Sequence, residues 1–222
     1  MSSTNSKAID LFLAILFFFI PHHVVSQTND LVRYKGFLFI SKPVSDEVKV
    51  RMQGKSMPNN ATISYDELRY LVLFYYDYDG MIRKGEMVCN KDIAHDLLCV
   101  FCALFARGYP INSIRLVDDF GADDEASMRA NNTSCFNYRQ IAGTRTLSKH
   151  AFGMAVDINP FENPCVKGQW IQPSTAVEFV DRKKDFPHKI DEKDFCKEVF
   201  TSFGFQWGGH WRSMKDYQHF EK

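Results

Sequence analysis

Residues 148–160 read SKHAFGMAVDINP and place His150 and Asp157 seven positions apart around Gly153. A second histidine, His219, stands in Asp216-Tyr217-Gln218-His219-Phe220-Glu221. Two histidines and one carboxylate are a ligand set that suits a catalytic zinc, with a fourth position left for water. Asp216, three residues before His219, is then a carboxylate available to take a proton from that water. These residue types indicate a zinc hydrolase. A lone histidine on an apolar stretch is more often a hydrogen-bonded core residue. A second histidine, an aspartate and a spare carboxylate favour metal.

The elements that must position these groups follow from local pattern. A period-2 strand over GMAVDIN puts Met154, Val156 and Ile158 on one face and Ala155, Asp157 and Asn159 on the other. The first set can enter a core while Asp157 faces a cleft. Gly153, without a side chain, lets backbone or ligand approach closely just after His150. Asp216 and His219 cannot share one face of a regular strand, because i and i+3 alternate sides, so irregular backbone or a helical turn is expected between them.

The combined pattern resembles the VanY/VanX-like zinc D-alanyl-D-alanine peptidases. It consists of Ser-x-His-x-x-Gly-x-Ala-x-Asp at 148–157, Trp-Gly-Gly-x-Trp at 207–211 and Asp-x-x-His-Phe-Glu at 216–221. Cell-wall endopeptidases that cut L-Ala-D-Glu are similar, and hedgehog signalling domains share the fold more distantly. Phe136-Asn137-Tyr138-Arg139 resembles the family's upstream Tyr-Arg element, so that the resemblance spans residues 90–221. It implies an α+β fold, a small antiparallel sheet with flanking helices and a zinc site in a cleft on the sheet. It also implies His150, Asp157 and His219 as zinc ligands, Asp216 as catalytic base and Arg139 as the cation that steadies the substrate carbonyl or carboxylate. Ser148, Trp211 and His210 are the expected substrate-binding residues, with His210 standing where the family usually carries Asp. The implied partners are peptidoglycan stem peptides. D-Ala-D-Ala carboxypeptidase action is the first choice, and L-Ala-D-Glu endopeptidase action or a non-catalytic wall-binding module of the same fold are the alternatives.

Composition sets the frame. A chain of 222 residues, 45% apolar, is long enough for one substantial core. With 27 basic and 27 acidic side chains there is no basic stripe to follow a phosphate backbone, which argues against nucleic-acid binding. Lys7, the apolar run 11–20 and small residues before Gln27 form a signal-peptide pattern over 1–26, shorter than a membrane span. An uncleaved N-terminal anchor is the alternative, because Pro21-His22-His23 interrupts the region before the cut. The expectation is a monomeric protein exported to the periplasm or cell envelope of a bacterium. Residues 27–89 read as an N-terminal extension packed on the core, and 90–222 as the catalytic domain.

Six cysteines in the exported portion permit disulfides, with Cys135–Cys165 the favoured bridge and Cys99 and Cys102 as core residues. Residues 68–76 suit a strand or a short segment capped at Ser64 or Asp66. A helix is expected from an Asn90 cap to about Arg107, and a strand over 114–117. The acidic run from Asp118 to Glu125 reads as a solvated loop at the cleft rim, and 161–188 as a Pro-interrupted loop over the site. A last helix starts at Asp191 or Asp194, runs through Phe203 and ends at Gly204. Arg145 rivals Arg139 as the cation, and His95 and His188 read as structural or exposed.

Overall fold

In the computed structural model residues 25–222 are described. The expected leader therefore lies outside the described residues except for Val25 and Ser26, which belong to β1 (Val25–Thr28). The expected cut before Gln27 falls inside that strand.

Alternating burial shapes the first layer. β1, β2 (Leu31–Tyr34), β3 (Phe37–Pro43), β4 (Leu68–Tyr76) and β5 (Ile82–Asn90) pair in that order, each antiparallel to the next. In β4, Leu71, Leu73 and Tyr75 point to one face, as period 2 requires. The strand reading of 68–76 holds, and Ser64 caps a one-turn 3-10 segment just before it through a capping box with Glu67. α1 (Asp46–Met52), capped by Ser45, bridges β3 and β4 and packs with Met57, Ile63, Leu68 and Val88 on the opposite face. α2 (Ala94–Arg107) covers the first face, and its Phe105 meets the rings of Phe37, Phe39 and Tyr76. This helix starts at Ala94 rather than beside Asn90. Asn90 closes β5, and its backbone N–H is committed to Gly153 O at 2.9 Å. Gly108, in the left-handed region, ends the helix.

Next come the short parallel pair β6 (Ser113–Ile114) and β7 (Asn132–Thr133), with α3 (Asp124–Arg129) between them. Of the expected strand at 114–117 only Ile114 is in β6, and Val117 opens a 3-10 turn. The acidic run is not a solvated loop. Asp118 is buried against Ser56, Asp119 pairs with Arg51 and Arg115, and Asp123 caps α3.

The final third carries β8 (Ala155–Asp157), β9 (Cys165–Lys167), β10 (Trp170–Gln172), α4 (Phe195–Ser202), β11 (Gln206–Trp207), β12 (Lys215–Asp216) and β13 (His219–Glu221). They form two small antiparallel sheets, β11-β13-β8 and β10-β9-β12. Asp194 caps α4 as expected, and Phe200 stacks on Phe220 at 4.3 Å while also meeting Phe101 of α2. One apolar cluster therefore runs from Val32 to Phe220 and joins the first sheet to the β8–β13 strands. The architecture is mixed α+β, with small antiparallel sheets and few helices.

All six cysteines are free and buried, so the expected Cys135–Cys165 bridge is absent. Cys135 Sγ donates to Gly153 O at 3.4 Å, and Cys165 bonds Asp216 instead. Thiol titration of the denatured, unreduced protein is expected to count six; a count of four would restore a bridge.

Candidate metal centre

His150 sits on a 3-10 turn, residues 149–152, whose start is capped by Ser148: the Ser148 hydroxyl accepts from the His150 N–H at 3.2 Å. Gly153 ends the turn at φ +65°, and a Cβ there would stand 2.6 Å from Asn90 N. The close approach expected beside His150 is made by the backbone of β5. Gly153→Ala is expected to cost about 1–3 kcal/mol through left-handed strain and the clash with fixed backbone. An unchanged melting temperature would refute this.

Chain direction does the rest. The antiparallel register pairs Asp157 of β8 with His219 of β13, which brings two side chains 62 positions apart in sequence onto one face. His219 Nδ1 lies 3.0 Å from Asp157 Oδ1, His150 Nε2 lies 3.1 Å from Asp157 Oδ2, and the two ring nitrogens are 3.2 Å apart. All three residues are buried, with ligand atoms within 4.8 Å of one another. For ligand bonds of about 2.1 Å, tetrahedral geometry separates ligand atoms by about 3.4 Å, close to these spacings.

The outer hydrogen bonds fit a cation. His150 Nδ1 donates to Cys135 O at 2.6 Å, leaving Nε2 for the cluster, and His219 Nε2 donates to Glu221 at 3.1 Å, leaving Nδ1. Without a metal, burial opposes a charged His219, but hydrogen bonds to Asp157 and Glu221 outweigh it and raise the imidazole to about 10. Burial likewise opposes ionisation of Asp157, but His150 and His219 hold it well below the usual carboxylate range. The pocket is thus built for positive charge held between carboxylates and imidazoles, and a divalent cation satisfies the same demand.

Asp216 ends β12, and residues 217–218 break the strand before His219, the irregularity that the i, i+3 spacing required. The break is fixed on both sides: Trp207 Nε1 donates to Tyr217 O at 2.9 Å, and the Arg182 guanidinium lies 4.3 Å above the Tyr217 ring. Asp216 packs against Gly208, where a Cβ would come within 2.9 Å of Asp216 Cβ and 3.3 Å of His219 Cβ. Among the described residues the buried Oδ1 of Asp216 has no hydrogen-bond partner. Burial raises its carboxyl to about 6; His219 pulls the other way and Asp157 adds to the rise. A buried acceptor with an open lone pair next to a cation-holding cluster is suited to a water or a substrate proton.

The remaining expected site residues are placed unequally. Arg139 is half-buried and pairs with Asp124 at 2.9 Å. Asp124 in turn feels the charges of His150 and Asp157, which sets Arg139 beside the cluster. Trp211 places its ring 5.1 Å from that of His219. His210 is exposed, pairs with Glu192 at 2.8 Å and stays outside the cluster. Arg145 lies exposed in the 140–147 hairpin. His188 stacks on Tyr78 at 3.6 Å, and His95 Nδ1 contacts Asn29 O. Sequence reasoning missed Glu221 as a neighbour of the site, and it missed the pairing of Asp124 with Arg139 and of Cys165 with Asp216. Glu221 had a signal, since two residues on from His219 in a strand means the same face. The two pairings had none.

Residues 142–222, which include His150, Asp157, Asp216 and His219, match the model of a family described as D-alanyl-D-alanine carboxypeptidase. Over this segment the chain carries the sequence pattern of the VanY-like peptidases. No curated protein and no solved structure matches the chain. Among the described residues no helix is long and apolar enough to cross a membrane.

Proposed function

We propose that this chain is an exported zinc metallopeptidase that hydrolyses peptidoglycan stem peptides as a D-alanyl-D-alanine carboxypeptidase. The observation that carries the reading is the convergence of His150 Nε2, His219 Nδ1 and the Asp157 carboxylate beside Asp216 with its unpartnered oxygen. His150, Asp157 and His219 are the proposed zinc ligands. Zinc, when bound there, supplies Lewis-acid polarisation of the scissile carbonyl and lowers the pKa of its water to about 7.

The chain's own residues do the rest. Asp216 accepts a proton at Oδ1 and returns it to the leaving amine. A carboxyl raised to about 6 is well matched to both duties near neutral pH. Glu221 and the Cys135 carbonyl hold the imidazoles in the tautomers the cluster needs. Arg139 presents a guanidinium to the substrate carboxylate or the developing oxyanion, held in place through Asp124. Trp211 lines the same side as His219, and Ser148 acts through the turn it caps. His210 is proposed at the rim, in reach of longer substrates.

In this reading residues 90–222 are the catalytic domain, with a hedgehog-like arrangement and the zinc in a cleft on the sheet. Residues 27–89 are an extension packed on it, and 1–26 a signal peptide.

Arg139→Lys is expected to lower kcat/KM at least about tenfold, because lysine keeps the charge and loses the fork that grips a carboxylate. Full activity in that variant would move the role to Arg145. The reading as a whole is tested by incubating zinc-loaded protein with defined muropeptides and weighing the products. Loss of one D-alanine from pentapeptide stems is expected, with all-L peptides left intact. Release at the L-Ala-D-Glu bond would make it an endopeptidase instead. Digestion of all-L peptides with muropeptides untouched would end the cell-wall reading.

A further inference from the structure

A cavity of about 510 Å³ opens between Pro58, Asn60, Tyr138, Arg139, Gln140 and Leu147. That volume lies within the range of about 300–1,000 Å³ usual for ligand sites. Two of its walls come from parts of the chain nearly 80 residues apart, and they are firmly joined. Tyr138 N–H donates to Ser56 O at 3.0 Å, and Thr62 N–H donates to Tyr138 Oη at 3.1 Å. Ser56 is itself anchored by two hydrogen bonds to buried Asp118. The third wall is the 140–147 hairpin, closed by Ile141 N–H to Thr146 O at 2.9 Å. The segment that lines the cavity is also bonded to the turn that carries His150. Asn137 N–H donates to His150 O at 3.1 Å, and Ser148 N–H to Arg139 O at 3.0 Å.

The lining has a definite chemistry. The Asn60 and Gln140 side-chain amides each offer donors and an acceptor that match peptide groups. Pro58, Tyr138 and Leu147 supply apolar surface. Arg139 gives Asp124 one of its five N–H donors and keeps others for a peptide carbonyl. We propose that this cavity is a subsite for the part of a stem peptide that lies on the N-terminal side of the scissile bond, and that Asn60, outside the family-matched segment, is a specificity determinant. The proposal rests on the peptidase reading above. It predicts a preference for peptides several residues long over a bare dipeptide, because only the longer chain reaches from the metal centre to Asn60.

The test is calorimetric titration of the zinc-loaded Asp216→Asn protein, in which turnover is slowed about 10²-fold or more. The ligands are a synthetic stem pentapeptide ending in D-Ala-D-Ala and the D-Ala-D-Ala dipeptide. The pentapeptide is expected to bind at least tenfold tighter. Adding Asn60→Trp, which fills the cavity from an exposed loop position, should abolish that advantage. Asn59→Trp, the exposed neighbour outside the lining, should preserve it. Equal affinity for the two peptides, no binding of the pentapeptide, indifference to Asn60→Trp or an equal loss in Asn59→Trp would each overturn the subsite. Asn60-dependent binding in a protein whose unaltered form cleaves no muropeptide would overturn the peptidase reading and leave the subsite standing.

Discussion

Alanine at His150 or at His219 is expected to strip zinc from the protein at neutral pH, lowering bound metal from one equivalent to near none after dialysis. Each change leaves one imidazole and one carboxylate, too few for a closed set of three protein ligands. Loss of an outer partner alone typically weakens metal binding by about 10–100-fold, and loss of a direct ligand should exceed that. The measurement is metal content by atomic emission alongside circular dichroism, which separates lost metal from lost fold. His219→Ala carries an added structural cost. It leaves Glu221 without its imidazole and Asp157 with that of His150 alone, and breaking a buried pair costs about 3–5 kcal/mol. In zinc-free protein the raised pKa of His219 means that this stabilisation is complete below about pH 6.5. It is lost as the pH rises through about 10. Stoichiometric zinc in the His150→Ala, His219→Ala double variant would end the assignment.

Asp216→Ala should separate binding from chemistry. Asp216 is outside the three-residue ligand cluster, so zinc content is expected to stay at one equivalent. Turnover should fall by about 10²-fold or more, the usual scale for a general base and equivalent to at least about 2.7 kcal/mol of barrier. In the unaltered protein kcat/KM should decline on the acid side, because a buried carboxyl raised above the usual carboxylate range keeps its proton and cannot accept another. Near-normal turnover in Asp216→Ala would transfer the role elsewhere, and not to His210, which is exposed, paired with Glu192 and outside the cluster. A flat profile down to pH 4.5 would show that Asp216 titrates outside the reaction.

Much of the site was legible because its parts are local. The spacing of Ser148, His150 and Gly153 describes one capped turn, and the alternation through Asp157 describes one strand. The interval from Asp216 to His219 demanded broken backbone on stereochemical grounds, and the break is there. Helix ends were legible where a side chain performs the cap, as at Asp194, and illegible where another segment competes for the same backbone, as at Asn90.

What the sequence by itself determined is the set of groups able to hold a cation and move a proton, and the local geometry that aims each one. Only the tertiary structure decided their company. The β8–β13 register set Asp157 against His219, and strand pairing with β9 put the Cys165 thiol, rather than a disulfide, next to Asp216. Packing of α3 turned Asp124 from an acidic loop residue into the partner of Arg139, and the segment around Asn60 became the wall of a cavity beside it. The physical reason is range. Caps, turns and strand alternation depend on neighbours a few positions away, whereas a salt bridge or cavity wall depends on which distant backbone arrives once the shared core from Val32 to Phe220 has closed.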